Sequence, residues 1–376
     1  MRFFCLIGFF LFSQGMFGQS ATLNQVIELP DLISESSGLA KDSNGIFWSH
    51  NDSDNDPILV GFNLDGQVIY TIEVTNSSNI DWEDLSIVND TLIICDCGNN
   101  LNTRNNLRIL KVPMGSLTLG NNFREAEVIN FSYAEQTAFP PKPQQLHFDL
   151  EAMACTVDSI YLFSKNRTQP SDGLTYQYVI PNRSGNYPNL ERKGQFNSGT
   201  TPFADWITGA ALNDAGDLAL LSASKIIIYR NFTFTPRIQH QAEIIHYNGA
   251  SQIEAICWDD NCNVWITDED NSIILNDNNL YSLNVCTTAG LATESDKTVL
   301  FCTPNPVDNL LTIQIEGLSS ALPYQIIDSS GNMVQKGLIQ TNPTSINVRN
   351  LPPRQYWVVS NSPSKPLIYC AFTVIR

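Results

Sequence analysis

Short apolar runs rich in Ile, Val, Leu, Phe and Trp recur along residues 22–285, separated by clusters of Asp, Asn and Gly. Runs of this length with β-branched and aromatic side chains, bounded by turn residues, predict strands. No stretch keeps a 3.6-residue apolar period long enough for a substantial helix, which excludes doubly wound and TIM-barrel architectures. The hydrophobic pattern therefore predicts an all-β protein.

Within that pattern one unit occurs five times. The copies begin at Ser37-Gly38-Leu39, Glu83-Asp84-Leu85, Glu151-Ala152-Met153, Thr208-Gly209-Ala210 and Glu254-Ala255-Ile256. Each is an apolar strand, a turn carrying Asp, Asn or Gly, and a second apolar strand with a polar end: Asn51, Asp96, Lys165, Ser222 or Asp268. Positions 37, 83, 151, 208 and 254 are separated by 46, 68, 57 and 46 residues, the period of one four-stranded blade of a β-propeller with insertions. A hairpin at residues 59–74, turning at Asp65-Gly66, supplies the outer part of the first blade. The expectation is a five- or six-bladed β-propeller over residues 19–285. A sixth blade has room in the 68-residue interval, or around residues 280–285 with the N-terminal strand closing the ring. A β-sandwich of similar hairpins is the competing architecture.

The innermost strand of a blade runs along the central channel, so one repeated phase converges near the axis. Glu83, Glu151 and Glu254 share that phase, and Thr208 replaces the acid in the fourth copy. Crowded carboxylates raise one another's pKa unless a cation joins them, and hard oxygen ligands suit Ca²⁺. The candidate ligands are Glu83, Glu151 and Glu254, helped by Asn51, Asp96 or Asp268. A second reading stays open, in which these acids cap strands or pair with Lys165, Arg104 and Arg167 and need no metal. His50, beside Asn51, is a candidate general base or a structural histidine. Trp82, Trp206, Trp258 and Trp265 either line a carbohydrate face or fill the spaces between blades.

The segments Glu35-Ser36-Ser37-Gly38-Leu39, Trp48-Ser49-His50-Asn51-Asp52-Ser53, Asp81-Trp82-Glu83-Asp84 and Asp96-Cys97-Gly98-Asn99-Asn100 with Arg104 resemble exported bacterial propellers. Those are distantly similar to the gluconolactonase, paraoxonase and esterase-like phytase propellers. The resemblance implies a channel Ca²⁺ held by Glu, Asn and Asp that polarises a lactone or ester carbonyl. Thr208 and Lys165 depart from a complete ligand set.

Charge and cysteine content add the setting. The 376 residues carry 21 Lys and Arg against 38 Asp and Glu, a net charge of −17, which argues against nucleic acid or an anionic membrane as partner. Residues 1–18 read as a signal peptide, with Arg2 before an apolar run and small residues at Ser13, Gly15 and Gly18. No later run is long enough to span a bilayer. Eight of the nine cysteines follow that leader, an even number in an oxidising compartment. Cys257 and Cys262 bracket a turn-like segment and are expected to bridge across a hairpin. Cys95 and Cys97, about 6.6 Å apart on an extended strand, are poorly placed to bond each other. A zinc site on these pairs lacks histidines at ligand spacing.

Residues 286–298 are small and polar, as in a linker. Beyond them, strands at residues 310–315, 324–328, 345–348, 356–359 and 367–375 predict a small C-terminal β-sandwich over 299–376. Pro304-Asn305-Pro306, Asp328-x-x-Gly331 ahead of Val334, and Ile346-x-Val348-x-x-Leu351 ahead of Tyr356 closely resemble the type A sorting domain of the type IX secretion system of Bacteroidetes. Arg354, where that family usually has Gly, is a departure. The resemblance implies export through the periplasm, recognition of 299–376 by the secretion machinery, and release or surface attachment. Two function classes follow: a ligand-binding or scaffold propeller, taking a glycan or small molecule and holding Ca²⁺ in its channel, or a Ca²⁺-dependent lactonase, esterase or phosphoester hydrolase. The nucleophile elbow, the zincin motif, the P-loop and the dinucleotide fingerprint are absent.

Overall fold

A computed structural model of the protein describes residues 19–233, 242–248, 252–269, 278–286, 300–315, 321–328, 332–362 and 365–375. The expected leader, residues 1–18, and most of the expected linker lie outside them. The five sequence copies are the inner hairpins of five antiparallel blades. Blade one is Ser36–Lys41, Phe47–Asn51, Ile58–Phe62 and Val68–Val74. Blade two is Trp82–Val88, Thr91–Asp96, Leu107–Pro113 and Glu127–Tyr133. Blade three is Asp149–Cys155, Ser159–Lys165, Leu174–Pro181 and Gly194–Asn197. Ile207–Leu212, Leu218–Ser222, Lys225–Tyr229 and Glu243–Asn248 form blade four. Ile253–Trp258, Asn263–Asp268 and Asn279–Asn284 form blade five, completed by Asn24–Glu28 from the N-terminus.

Inner strands neighbour one another in chain order, and that of blade five packs on that of blade one. The ring therefore closes at five. Residues 280–285 and the N-terminal strand complete the fifth blade and add no sixth. Apolar side chains cluster between adjacent blades all the way round; Leu39, Phe47, Phe62, Ala255 and Leu280, for example, join blade five to blade one. Neighbours also exchange edge strands. Gly120–Arg124 runs parallel to Val68–Val74 of blade one, Gly185–Leu190 parallel to Glu127–Tyr133 of blade two, and Gln19–Thr22 parallel to Glu243–Asn248 of blade four. These parallel strands cover the outer strands of blades one, two and four and become the sheet edges themselves.

One irregularity repeats in every inner strand. Pairing runs Ser36 to Asn51, then Gly38 to His50, leaving out Ser37. It skips Glu151 between Leu150 and Ala152, Thr208 between Ile207 and Gly209, and Glu254 between Ile253 and Ala255. In blade two both Glu83 and Asp84 are skipped. A bulge takes a residue out of the ladder and re-aims its side chain. The repeated phase of the sequence is thus a ring of five β-bulges.

The extra bulged residue of blade two ties the ring at its axis. The buried Asp84 carboxylate accepts the backbone N–H of Leu85 at 2.8 Å, of Met153 in blade three at 2.7 Å and of Ala210 in blade four at 2.9 Å. Burial pushes its pKa well up, against the pull of the three donors.

The tail is a β-sandwich. One sheet holds Leu300–Thr303, Leu310–Ile315 and Thr344–Asn347. The other holds Met333–Ile339, Leu322–Asp328, Gln355–Ser362 and Lys365–Thr373. Leu311, Ile313, Ile326, Val358 and Phe372 fill the space between them.

Two cysteine expectations are corrected. Cys262 bonds Cys286, with Cα atoms 5.0 Å apart, and Cys257 is a buried free thiol. The hairpin register sets Cys257 opposite Trp265, whereas Val285 N–H donates to Cys262 O and brings the adjacent Cys286 alongside. Cys95 and Cys97 do bond each other, because the strand ends at Asp96 and the backbone folds their Cα atoms to 5.2 Å.

Replacing Asp84 with Ala strands three buried donors, each worth about 1–3 kcal/mol. Denaturant unfolding of Asp84→Ala should show a loss of about 3 kcal/mol or more, with Asp84→Asn losing less because it keeps an acceptor. A loss under about 1 kcal/mol in Asp84→Ala would contradict the axial tie.

Candidate functional site

Ser37, Glu83, Glu151, Thr208 and Glu254, the bulged residues, all line one cavity of about 220 Å³ at the end of the channel where the inner strands begin. Asp52, Lys165, Arg167, Trp206, Gln252 and Glu269 complete much of its wall. Carboxylate oxygens of Asp52, Asp81 and Glu83 lie within 4.8 Å of one another, and so do those of Glu83, Asp149 and Glu151. Glu83 belongs to both groups.

The two groups differ in how their charge is balanced. Arg167 Nε donates to Asp149 Oδ2 at 2.7 Å and its Nη2 to Glu151 Oε1 at 3.2 Å, while Lys165 Nζ reaches Glu151 Oε2 at 2.9 Å. Burial pushes the Glu151 carboxyl up, yet these cations outweigh it and hold it below its ordinary value. Asp149 rises to about 6, from burial and then from Glu151, with Arg167 opposing. Asp52, Asp81 and Glu83 have far weaker support. Arg104 stands 3.8 Å from Asp81 and spends its shorter contact, 3.0 Å, on Asp96. Glu83 receives the Ser37 hydroxyl at 3.4 Å. Burial followed by the neighbouring carboxylates lifts Asp81 to about 8 and Glu83 well above the usual range. Asp52 is raised mainly by burial, and Glu254 is lifted to about 7 by burial, with Lys165 opposing. A methyl group on Gly98 would fall 2.1 Å from Glu83 Oε1 and 2.6 Å from Asp81 Oδ2. Only glycine lets that loop lie against the acids.

Among the expected ligands, Glu83, Glu151 and Glu254 meet at this mouth. Asn51, Asp96 and Asp268 are engaged elsewhere. Asn51 accepts Glu35 N–H and donates to Leu32 O. Asp96 is enclosed by Arg104 and Arg108. Asp268 accepts Asn279 N–H and the Tyr281 hydroxyl. These three residues end the second strand of a blade, where the pairing register turns their side chains toward partners other than the cavity.

Asp52, Asp81 and Asp149 were missed as members of the cluster. Asp81 and Asp149 stand two residues before a bulged Glu, so a repeated Asp-x-Glu is the available signal; Asp52 directly follows the strand-end Asn51. His50 is wholly buried, edge-on to Trp82, with Nδ1 3.0 Å from Asn51 O and Nε2 without a partner among the described residues. Burial lowers its pKa to about 4, and it is not part of the cavity wall. Trp82 is likewise core. Trp206 does line the mouth, with the Arg167 guanidinium 4.5 Å from its ring centre.

The tail stands at the rim. Trp357, Ile327 and Val359 pack with Phe203 of the propeller, Thr201 Oγ1 lies 3.2 Å from the Tyr369 hydroxyl, and Asn332 joins the cavity wall. Its sequence decides what it is similar to. Residues 303–368 match the secretion system C-terminal sorting domain. A comparison of the chain with curated proteins finds no match. Among solved structures the chain is similar to a gluconolactonase of Xanthomonas campestris, at 11% identity over 66% of this chain and 72% of that one, TM-score 0.37. It is also similar to regucalcin, a calcium-binding protein of Agrobacterium tumefaciens, at 12% identity over 71% and 95%, TM-score 0.38. PorZ, a surface component of the type IX secretion system of Porphyromonas gingivalis, aligns at 13% identity over 91% of this chain and 45% of its own, TM-score 0.31.

Raised carboxyl pKa values fix the sign of a pH effect. Asp81 and Glu254 hold protons in the folded state up to about 8 and about 7, but only to 3.8 and 4.5 in their ordinary setting. Their contribution favours folding at low pH and is lost as pH rises through this window. In chelator, the melting temperature should therefore drop between pH 5 and pH 8, and Asp81→Asn should flatten the drop. An unchanged slope in Asp81→Asn would contradict the assignment.

Proposed function

We propose that this protein is exported through the type IX secretion machinery to the medium or the outer cell surface, and that it works there as a ligand-binding or scaffold propeller with one divalent cation, Ca²⁺, at its channel mouth. The observation that carries the cation is the contrast within the acidic cluster. Asp149 and Glu151 have Arg167 and Lys165, while Asp52, Asp81 and Glu83 share a buried space with one distant guanidinium. Oxygen-only donors of this kind fit a hard cation.

Asp52, Asp81 and Glu83 are the ligands in this reading. Glu151 and Glu254 complete the acidic wall, and Arg167 and Lys165 hold Asp149 and Glu151 in place. Bound Ca²⁺ supplies a Lewis-acidic point on which an anionic or carbonyl oxygen of a ligand can rest. Beside it, Trp206 contributes to the cavity wall as a largely buried ring that carries the Arg167 guanidinium 4.5 Å from its centre. The hydrolase reading loses His50 as its base, since that ring is sealed in the core, and it retains only the mouth carboxylates and Lys165 for proton transfer.

Calorimetric titration of the chelated full-length chain with Ca²⁺ tests the reading. The wild type should bind one ion and melt at a higher temperature with it. Asp81→Asn with Glu83→Gln should weaken binding by about tenfold or more while keeping the all-β circular dichroism spectrum. Equal affinity in wild type and variant, or no binding by the wild type, would overturn the site.

A further inference from the structure

The sorting tail carries two thiols of its own. Cys302 lies on its first strand, Leu300–Thr303, and Cys370 on its last, Lys365–Thr373. The two strands belong to different sheets and pack together at one edge of the sandwich. Cys302 is buried in the core and Cys370 half-buried against it. Cys302 Sγ stands 3.8 Å from Cys370 O, and the two thiols are near enough for each to shift the other's pKa. Neither belongs to the two bridges described above.

We propose that Cys302 and Cys370 form a third disulfide in the exported protein, a staple joining the first and last strands of the sorting tail. The family match spans residues 303–368, so the two cysteines stand just outside it on either side. A bridge between them closes a loop around the whole recognised domain, with a separation of 68 residues. Small exported domains with limited cores commonly rely on such cross-links, which restrict the unfolded chain.

The chemistry is thiol–disulfide exchange with an oxidising disulfide carrier. The Cys370 thiolate attacks one carrier sulfur, forming a mixed disulfide and releasing the other carrier sulfur as a thiolate that takes up a proton. Cys302, losing its proton to solvent, then attacks Cys370 Sγ and expels the second carrier thiol. Two protein thiols are oxidised and one carrier disulfide is reduced. Cys370 is the better first nucleophile: its interaction with the Cys302 thiol lowers its pKa to about 7 and burial opposes this only in part. The same interaction, followed by burial, raises that of Cys302.

The full-length chain, equilibrated with oxidised and reduced glutathione, alkylated and digested without reduction, should yield one peptide pair joined through Cys302 and Cys370 that separates on reduction. In Cys302→Ser, Cys370 should become available to the alkylating reagent. Limited proteolysis should cut the tail of the Cys302→Ser, Cys370→Ser variant on the order of tenfold faster than the oxidised wild type. Separate alkylation of both cysteines in the oxidised wild type, or cleavage of the double variant at the wild-type rate, overturns the staple. Peptide mapping needs no variant and so stands whether or not the substituted tail folds.

Discussion

A single departure from regular pairing, repeated five times, governs this molecule. Each inner strand must leave one residue out of its ladder so that the strand can bend around the channel end, and the residue left out faces the axis. Closing the ring at five brings those residues within reach of one another. The fold thereby determines where side chains converge, and their identities determine what converges. Ser37 and Thr208 contribute hydroxyls; Glu83, Glu151 and Glu254 contribute charge. In blade two a second skipped residue, Asp84, gathers backbone donors from three blades and joins strands that have no ladder between them.

The electrostatics follow from an uneven distribution of cations. Blade three supplies its own, since Lys165 pairs opposite Asp149 on the adjacent strand and Arg167 follows two residues later. Its two acids are held ionised within a buried salt-bridged network. Blade two supplies Arg104 and Arg108, but both turn to Asp96, which is needed to anchor the loop after the strand. Asp81 and Glu83 are left facing Asp52 of blade one, with Gly98 packed against both of them. Close ion pairing and weakly paired acidity thus coexist a few ångströms apart.

Much of this architecture was legible in the chain. The alternation of apolar runs gave the strands, and the recurrence of one unit gave the blades and named all five channel residues by phase. Blade number stayed open because the inserted strands Gly120–Arg124 and Gly185–Leu190 join neighbouring blades, which lengthens the interval between copies without adding a blade. Register was harder to read. Strand-end residues such as Asp96 and Asp268 recur with the same period as the channel residues, so spacing alone could not tell a side chain aimed at the axis from one capping its own blade. The Cys257 expectation fails for the same reason: the register of the hairpin sets that residue opposite Trp265, and Cys262 finds its partner in Cys286, just past the end of the next strand.

The tail resting against Phe203 and Thr201 brings together two separately folded parts of the chain, the sorting domain and the propeller. With Asn332 in its wall, the cavity is a property of the joined pair and not of the propeller by itself. Without Asn332 and the sheet that carries it, the mouth would have a different outline. The shape of the mouth therefore depends on how much of the chain is present.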